Sequence, residues 1–180
     1  GKHLVVRGAG TWEAKPGGRL VNSGEGGGWL GTLNPEWSDF SVKLEYKVPK
    51  DGNSGVFLRC PLQGNPAYEG LEVQVIDDDA TRWQLREWQH TGAIYGVVPP
   101  SRRATRSAGT WESMEITARG SRIAVHVNGF EVVNANLDEH DQKAGDVKSL
   151  KDRPRQGHIG LQSYGTGVEV KDFRVKKLEG

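Results

Sequence analysis

"FSVKLEYKV", residues 40–48, alternates without a break: Phe40, Val42, Leu44, Tyr46 and Val48 share one face, and Ser41, Lys43, Glu45 and Lys47 the other. A period of two marks a half-buried β-strand, whose successive side chains leave opposite faces. Further strand patterns occur in "SGVFLRC" (54–60), "LEVQVI" (71–76), "SMEITAR" (113–119), "RIAVHVN" (122–128), "FEVVN" (130–134), "GHIGLQS" (157–163) and "VEVKDFRVKKL" (168–178). Turn-forming stretches separate them: "KDGNSG", "RGSR", "VNGF" and "YGTG". Asn128-Gly129 predicts a two-residue hairpin, because both residues tolerate positive φ. The one helix expected lies in "LDEHDQKAGDVKSL" (137–150), and its polarity keeps it out of a core. Strands of this kind bury their apolar sets when two antiparallel sheets pack face to face. The expectation is therefore an all-β, two-sheet antiparallel sandwich, one domain over residues 1–180, with a concave outer face as the natural ligand site.

Composition removes several function classes. Gly supplies 25 of 180 residues, about twice the usual share, which suits tight turns between short strands. Lys plus Arg is 24 and Asp plus Glu is 23, a net charge of +1, so nothing marks a nucleic-acid or anionic-membrane partner. The one basic cluster, Arg102, Arg103 and Arg106 in "SRRATR", reads as a solvated loop. No stretch is long and apolar enough for membrane insertion as a helix. The single cysteine, Cys60, excludes an intrachain disulfide and reads as a small buried residue. His3, His90, His126, His140 and His158 lack metal-ligand spacing, so no metal is expected. "IDDDAT" could offer oxygens to calcium, although adjacent Asp residues in a turn are more simply solvated; no cofactor is expected.

"LEVQVIDDD" (71–79) raises the functional question, since it carries Glu72, Gln74 and Asp77 where a buried strand would carry Val and Ile. Leu71, Val73 and Val75 are expected in the core, with Glu72 and Gln74 on the outer face. Asp77 is out of phase. A β-bulge between Gln74 and Asp77 would aim all three residues the same way; without one, Asp77 ends the strand and opens the turn. In "GVFLRC" Arg59 alternates with Phe57 onto that outer face, as an ion-pair partner or a substrate clamp. His90 precedes "TGAIYG" and is the best titrating candidate. Tyr95 and Trp88 are candidate sugar contacts, as is Gln162 in "GHIGLQS". Trp12, Trp29, Trp37 and Trp111 read as packing residues.

In order along the chain, "NSGVFLR", "YEGLEVQVIDDD", "HTGAIYG", "GTWESMEI", "VHVNG", "GHIGLQSYG" and "VEVKDFRV" resemble the 3-keto-disaccharide hydrolase domain family, and "WLGT" and "WSDFSVKLEYKV" fit its N-terminal part. The likeness runs from about Trp12 to Leu178. It implies a concanavalin A-like lectin/glucanase jelly roll and bacterial glycan processing outside the cytoplasm, on sugars oxidised at carbon 3. The sequence departs from the family pattern at Glu112, where Asn is usual after Trp111, at Ser163 and Tyr164, and at "KDF". The spacing of Glu72, Gln74 and Asp77 also resembles the acidic strand of laminarinase-like β-glucanases, with Gln74 replacing the middle acid.

For a 3-keto sugar the ketone acidifies the carbon 2 proton, so the glycosidic bond can break by elimination and water can then add. That chemistry needs a base, for which Glu72 or His90 is the candidate, and a donor to the enolate oxygen, for which Arg59 or Gln74 is. The expected activity is a 3-keto-glycoside hydrolase, or a lyase with hydratase activity. The alternatives are a non-catalytic carbohydrate-binding module and an ordinary endo-β-glucanase on the same fold.

Overall fold

The computed structural model describes residues 4–23, 27–142 and 148–179. Among the described residues twelve strands form two antiparallel sheets. In chain order they are β1 (Leu4–Gly8), β2 (Thr11–Lys15), β3 (Arg19–Ser23), β4 (Gly28–Thr32), β5 (Phe40–Lys47) and β6 (Asn53–Cys60), then β7 (Leu71–Ile76), β8 (Trp111–Arg119), β9 (Arg122–Val127), β10 (Phe130–Asn136), β11 (His158–Ser163) and β12 (Glu169–Lys177). The five-stranded sheet runs β1-β4-β11-β6-β7, and the seven-stranded sheet β10-β9-β8-β5-β12-β3-β2. This is the two-sheet sandwich expected from the alternation, and the jelly roll that the resemblance implies.

The core lies between the sheets. Phe40, Val42, Leu44 and Tyr46 of β5, with Ile116 of β8 and Val125 of β9, meet Val56, Leu58, Leu71, Val73 and Leu161 from the opposite layer. The Asn128-Gly129 hairpin is confirmed, with φ of 51° and 82°. The strand patterns from residue 40 onward all become strands, whereas β1 to β4 were not anticipated as elements. "TWEAK" alternates for only five residues and "RLVNS" has no period of two, and β2, at a sheet edge, leaves all but Trp12 exposed.

The helical expectation needs correction. Within 137–150 the structure gives single 3₁₀ turns at Leu137–Glu139 and from Leu150, while 143–147 lie outside the described residues. Leu137 and Leu150 are fully buried, so this segment does contribute to the core. An unanticipated helical turn, α1 (Pro66–Glu69), precedes β7; Asn65 caps it by accepting the Ala67 N–H, and Pro66 sits at its start.

Candidate functional site

Two cross-strand rows define the outer face of the five-stranded sheet. Gly31, Gly160, Phe57 and Glu72 are in register across β4, β11, β6 and β7. The next row places Arg7 beside Trp29, Trp29 beside Gln162, and Gly55 beside Gln74. Beyond β7 the chain returns along the edge: Gln74 N–H donates to Ala93 O and Tyr95 N–H donates to Glu72 O at 2.9 Å. Tyr95 thus joins the row of Glu72 on the same face.

The absence of side chains shapes this surface. A β-carbon at Gly31 or Gly160 would overlap the Trp29 ring, so that indole lies flat across two strands. The Arg7 guanidinium is 5.4 Å from the ring centroid, and Phe57 and His158 meet the ring edge-on at 5.9 and 6.1 Å. A β-carbon at Gly55 would overlap Glu72 Oε1, so the carboxyl leans across β6 into the room that Gly55 leaves. Trp29 therefore packs outside the main core, in a second apolar cluster with Phe57, Cys60 and Ala67.

Glu72 is 2% exposed. Burial alone pushes its carboxyl up to about 8, because no neighbouring charge or donor offsets the lost hydration. Tyr68, delivered by α1, and Tyr95 pack with this cluster, and Tyr95 also meets Tyr68 at 6.3 Å and Trp88 at 5.4 Å. Gln89 Nε2 donates to Tyr95 Oη at 3.3 Å. Burial, then the Tyr95 and Glu72 charges, raise the Tyr68 phenol, which keeps it a proton donor. Buried Arg153 holds α1 by donating to Ala67 O and Gly70 O at 3.0 and 3.1 Å.

The other sequence candidates divide. Gln74, Tyr95, Trp88 and Gln162 are on or beside this face, and Gln162 Oε1 is buried without a hydrogen-bond partner among the described residues. Asp77 is elsewhere. The register between β6 and β7 is unbroken, so no bulge rotates Asp77 towards Glu72, and its oxygens accept the N–H groups of Asp51 and Asp79 at 2.9 and 3.2 Å. Those bonds make it a turn residue.

Arg59 also leaves the face, contrary to the alternation. The bulge forms on the other side of β6, against β11, and Arg59 adopts φ of 53° there. Its fully buried guanidinium donates to Ser38 O at 2.9 Å and Gly120 O at 2.7 Å, tying one sheet to the end of the other. Burial lowers it to about 10, partly offset by Asp39 at 3.6 Å.

His90 is separated from Glu72. Its Nδ1 lies 3.2 Å from Asp78 Oδ1, an oxygen that also accepts the Thr91 N–H, while Thr105 donates to Oδ2. The Thr91 hydroxyl bonds Ile76, so His90 lies by the far end of β7, about four residues or ~13 Å of strand from Glu72. The Asp triplet thus serves the backbone, His90 and Thr105; among the described residues no group of three or more His, Cys, Asp or Glu side chains converges to hold a metal.

The departures from the family pattern fall mostly off this face. Buried Glu112 accepts the Arg106 N–H and an Asn128 amide proton, closing loops on the other sheet, and Ser163 bonds Asn22. Tyr164 is exposed. Sequence reasoning missed Arg7, Tyr68 and Trp29 as parts of the site. The Asn65-Pro66 cap signal could have announced α1 and hence Tyr68; no local signal distinguishes Trp29 from a core tryptophan.

Comparison with known proteins agrees with this architecture. A 3-keto-disaccharide hydrolase of Bacteroides thetaiotaomicron is 22% identical over 193 aligned residues; the match covers 91% of this chain but 66% of that relative, so this chain spans just under two thirds of its length. The crystal structure of a candidate glycosyl hydrolase from Parabacteroides distasonis superposes with a TM-score of 0.82 at 24% identity, over 93% of this chain and 90% of that one. A carbohydrate-binding module, CBM66 of Bacillus subtilis, gives 0.64 at 15% identity over 98% of both chains, a likeness of fold alone. The family model described as the 3-keto-alpha-glucoside-1,2-lyase-like domain matches residues 6–176, and the chain belongs to that family.

Proposed function

We propose that this protein cleaves 3-keto-glycosides on the outer face of the five-stranded sheet, by elimination across carbons 1 and 2 followed by hydration. The observation that carries this reading is Glu72, a buried carboxyl beside Gly55 whose proton affinity is raised to about 8. A base working near neutrality needs that affinity. Glu72 carboxylate takes the carbon 2 proton, made acidic by the ketone at carbon 3. The electron pair forms the carbon 1–carbon 2 double bond and expels the glycosidic oxygen, which takes a proton from an acid such as the Tyr68 phenol. Water then adds its oxygen at carbon 1 and gives a proton to the phenolate, while carbon 2 recovers a proton from Glu72. Gln74 is the nearest amide donor candidate for the enolate oxygen; Arg59 is bound elsewhere. An extracytoplasmic location belongs to the same reading, through the family.

The relative's name supports the substrate class. An ordinary retaining glucanase fits less well, because it needs a second carboxylate roughly 5–5.5 Å from the first, and Asp77 is held in its turn by two backbone N–H groups. The CBM66 likeness keeps a binding module as the second reading. Incubation with a 3-keto-disaccharide and with its unoxidised parent tests all three. Free sugar from the keto form alone is expected; release from the parent alone means a glucanase, and release from neither means a binding module.

A further inference from the structure

We propose that β1 is a docking edge, at which a second copy of this chain adds its own β1, antiparallel, about a twofold axis at Val6. The five-stranded sheet then continues into that of the other copy. This pairing is independent of the chemistry read at Glu72.

Two sheets have four edge strands, and an open strand edge invites pairing with another chain. Three of the four are guarded. β7 is covered by the returning chain, which exchanges bonds with it through Gly92, Ala93 and Tyr95. β10 carries a register shift between Glu131 and Val133, and Ser101 N–H donates to its Val132 O at 2.7 Å. β2 exposes the charges of Glu13 and Lys15, an ion pair at 2.6 Å. β1 has none of these devices. Its five residues pair with β4 in unbroken register, and among the described residues no backbone group bonds its far side. Its one charge, Arg7, is drawn back over Trp29 and donates to Thr32 O at 3.3 Å, on β4.

The side chains of this edge are apolar. Leu4 and Val6 pair with Thr32 and Leu30, and Leu30 belongs to the core, so both point inward. An inward valine is normally covered, yet Val6 is 46% exposed, because no strand lies beyond it. Leu33, just past β4, is 48% exposed. Leu4 also lines a cleft of about 920 Å³ between the sheets, with Leu20, Trp37 and Phe173, all partly buried. An open edge, two exposed aliphatic side chains and an apolar cleft therefore meet on one flank of the sandwich.

A second copy fits this flank by symmetry. A twofold pair centred on Val6 sets Val6 against its own copy, Leu4 against Gly8 and Val5 against Arg7. Arg7 never faces Arg7, so no like charges oppose each other, and a net charge of +1 leaves little repulsion between copies. The two sets of Leu4 and Val6 continue one inward face across the axis. Backbone bonds fix the register, and the apolar flank supplies buried area that a short strand pair alone lacks.

The test is sedimentation of the whole chain from about 1 to 500 µM, for the wild type, Val6→Lys, Val6→Glu and an equimolar mixture of the two variants. The wild-type mass should rise with concentration towards twice 19.7 kDa. Each variant alone sets like charges at the axis and should associate about tenfold or more weakly. The mixture sets opposite charges there and should recover the dimer. Val6 is half exposed, so both variants should melt close to the wild type in dilute solution. A wild type that stays monomeric throughout overturns the pairing. So do variants that dimerise as the wild type does, and a mixture that stays monomeric while the wild type dimerises.

Discussion

Glu72 pays for its position in stability, and the sign of that effect follows from the raised affinity. The unfolded carboxyl titrates near 4.5 and the folded one at about 8. Below 4.5 both states are protonated and Glu72 costs nothing. Between 4.5 and 8 only the folded state holds the proton, so stability falls as pH rises, and above 8 the cost is complete. At about 1.4 kcal/mol per unit the limit is about 5 kcal/mol, less what a buried amide costs in the same place. Glu72→Gln should therefore melt higher than the wild type at pH 9, by several degrees, and close to it at pH 4, while turnover falls roughly 10²-fold or more. Thermal melts at the two pH values check the first half. The outer-face position alone suggests little change in stability; the near-complete burial of Glu72 alters that expectation. Arg59 gives the opposite pattern. Arg59→Met leaves the Ser38 and Gly120 carbonyls without their donor and should cost about 3 kcal/mol or more, read as a lower denaturation midpoint, with turnover per folded molecule within a few-fold of the wild type. A large loss of turnover at unchanged stability would return Arg59 to the substrate.

Among the elements, β7 and α1 together supply Glu72 and Tyr68 to the candidate site. β7 was legible: in "LEVQVI" the inward and outward sets separate as alternation requires, and Leu71, Val73 and Val75 are in the core. Asp77 and Arg59 were not, because each depends on where a bulge falls, and a bulge is decided by the partner strand. The register breaks between β6 and β11, which turns Arg59 inward and leaves Asp77 to its turn. α1 was missed since four residues carry no period, although its Asn-Pro start is a local signal. Its cap provides a test. Asn65→Ala removes the acceptor of the Ala67 N–H and should cost about 1 kcal/mol. If α1 is what keeps Glu72 dry, the same variant should move the midpoint of the activity profile below that of the wild type. A cap loss that leaves the midpoint in place would mean that other walls keep water out.

For the whole molecule, the labour divides between the sheets. The five-stranded sheet presents the candidate site, while the seven-stranded sheet supplies the other half of the core and, through Asn22 and the Gly120 and Ser38 carbonyls, fixes the ends of its neighbour. Its own outer face carries exposed ion pairs such as Lys43–Glu115 and the half-exposed His126 near Glu131. His126→Ala should shift stability by no more than about 0.5 kcal/mol and leave turnover unchanged; a marked loss of turnover would place function on that second sheet.

The proposed chemistry at Glu72, removal of the carbon 2 proton of a 3-keto sugar by a buried carboxylate, has a kinetic signature. The direct measurement is kcat/KM against pH on a 3-keto-disaccharide, for the wild type and Glu72→Gln. Activity of the wild type should rise with pH through a midpoint near 8, and Glu72→Gln should lose both that limb and roughly 10²-fold of the rate. A variant that keeps the limb, or that turns over within a few-fold of the wild type, would mean that Glu72 is not the base.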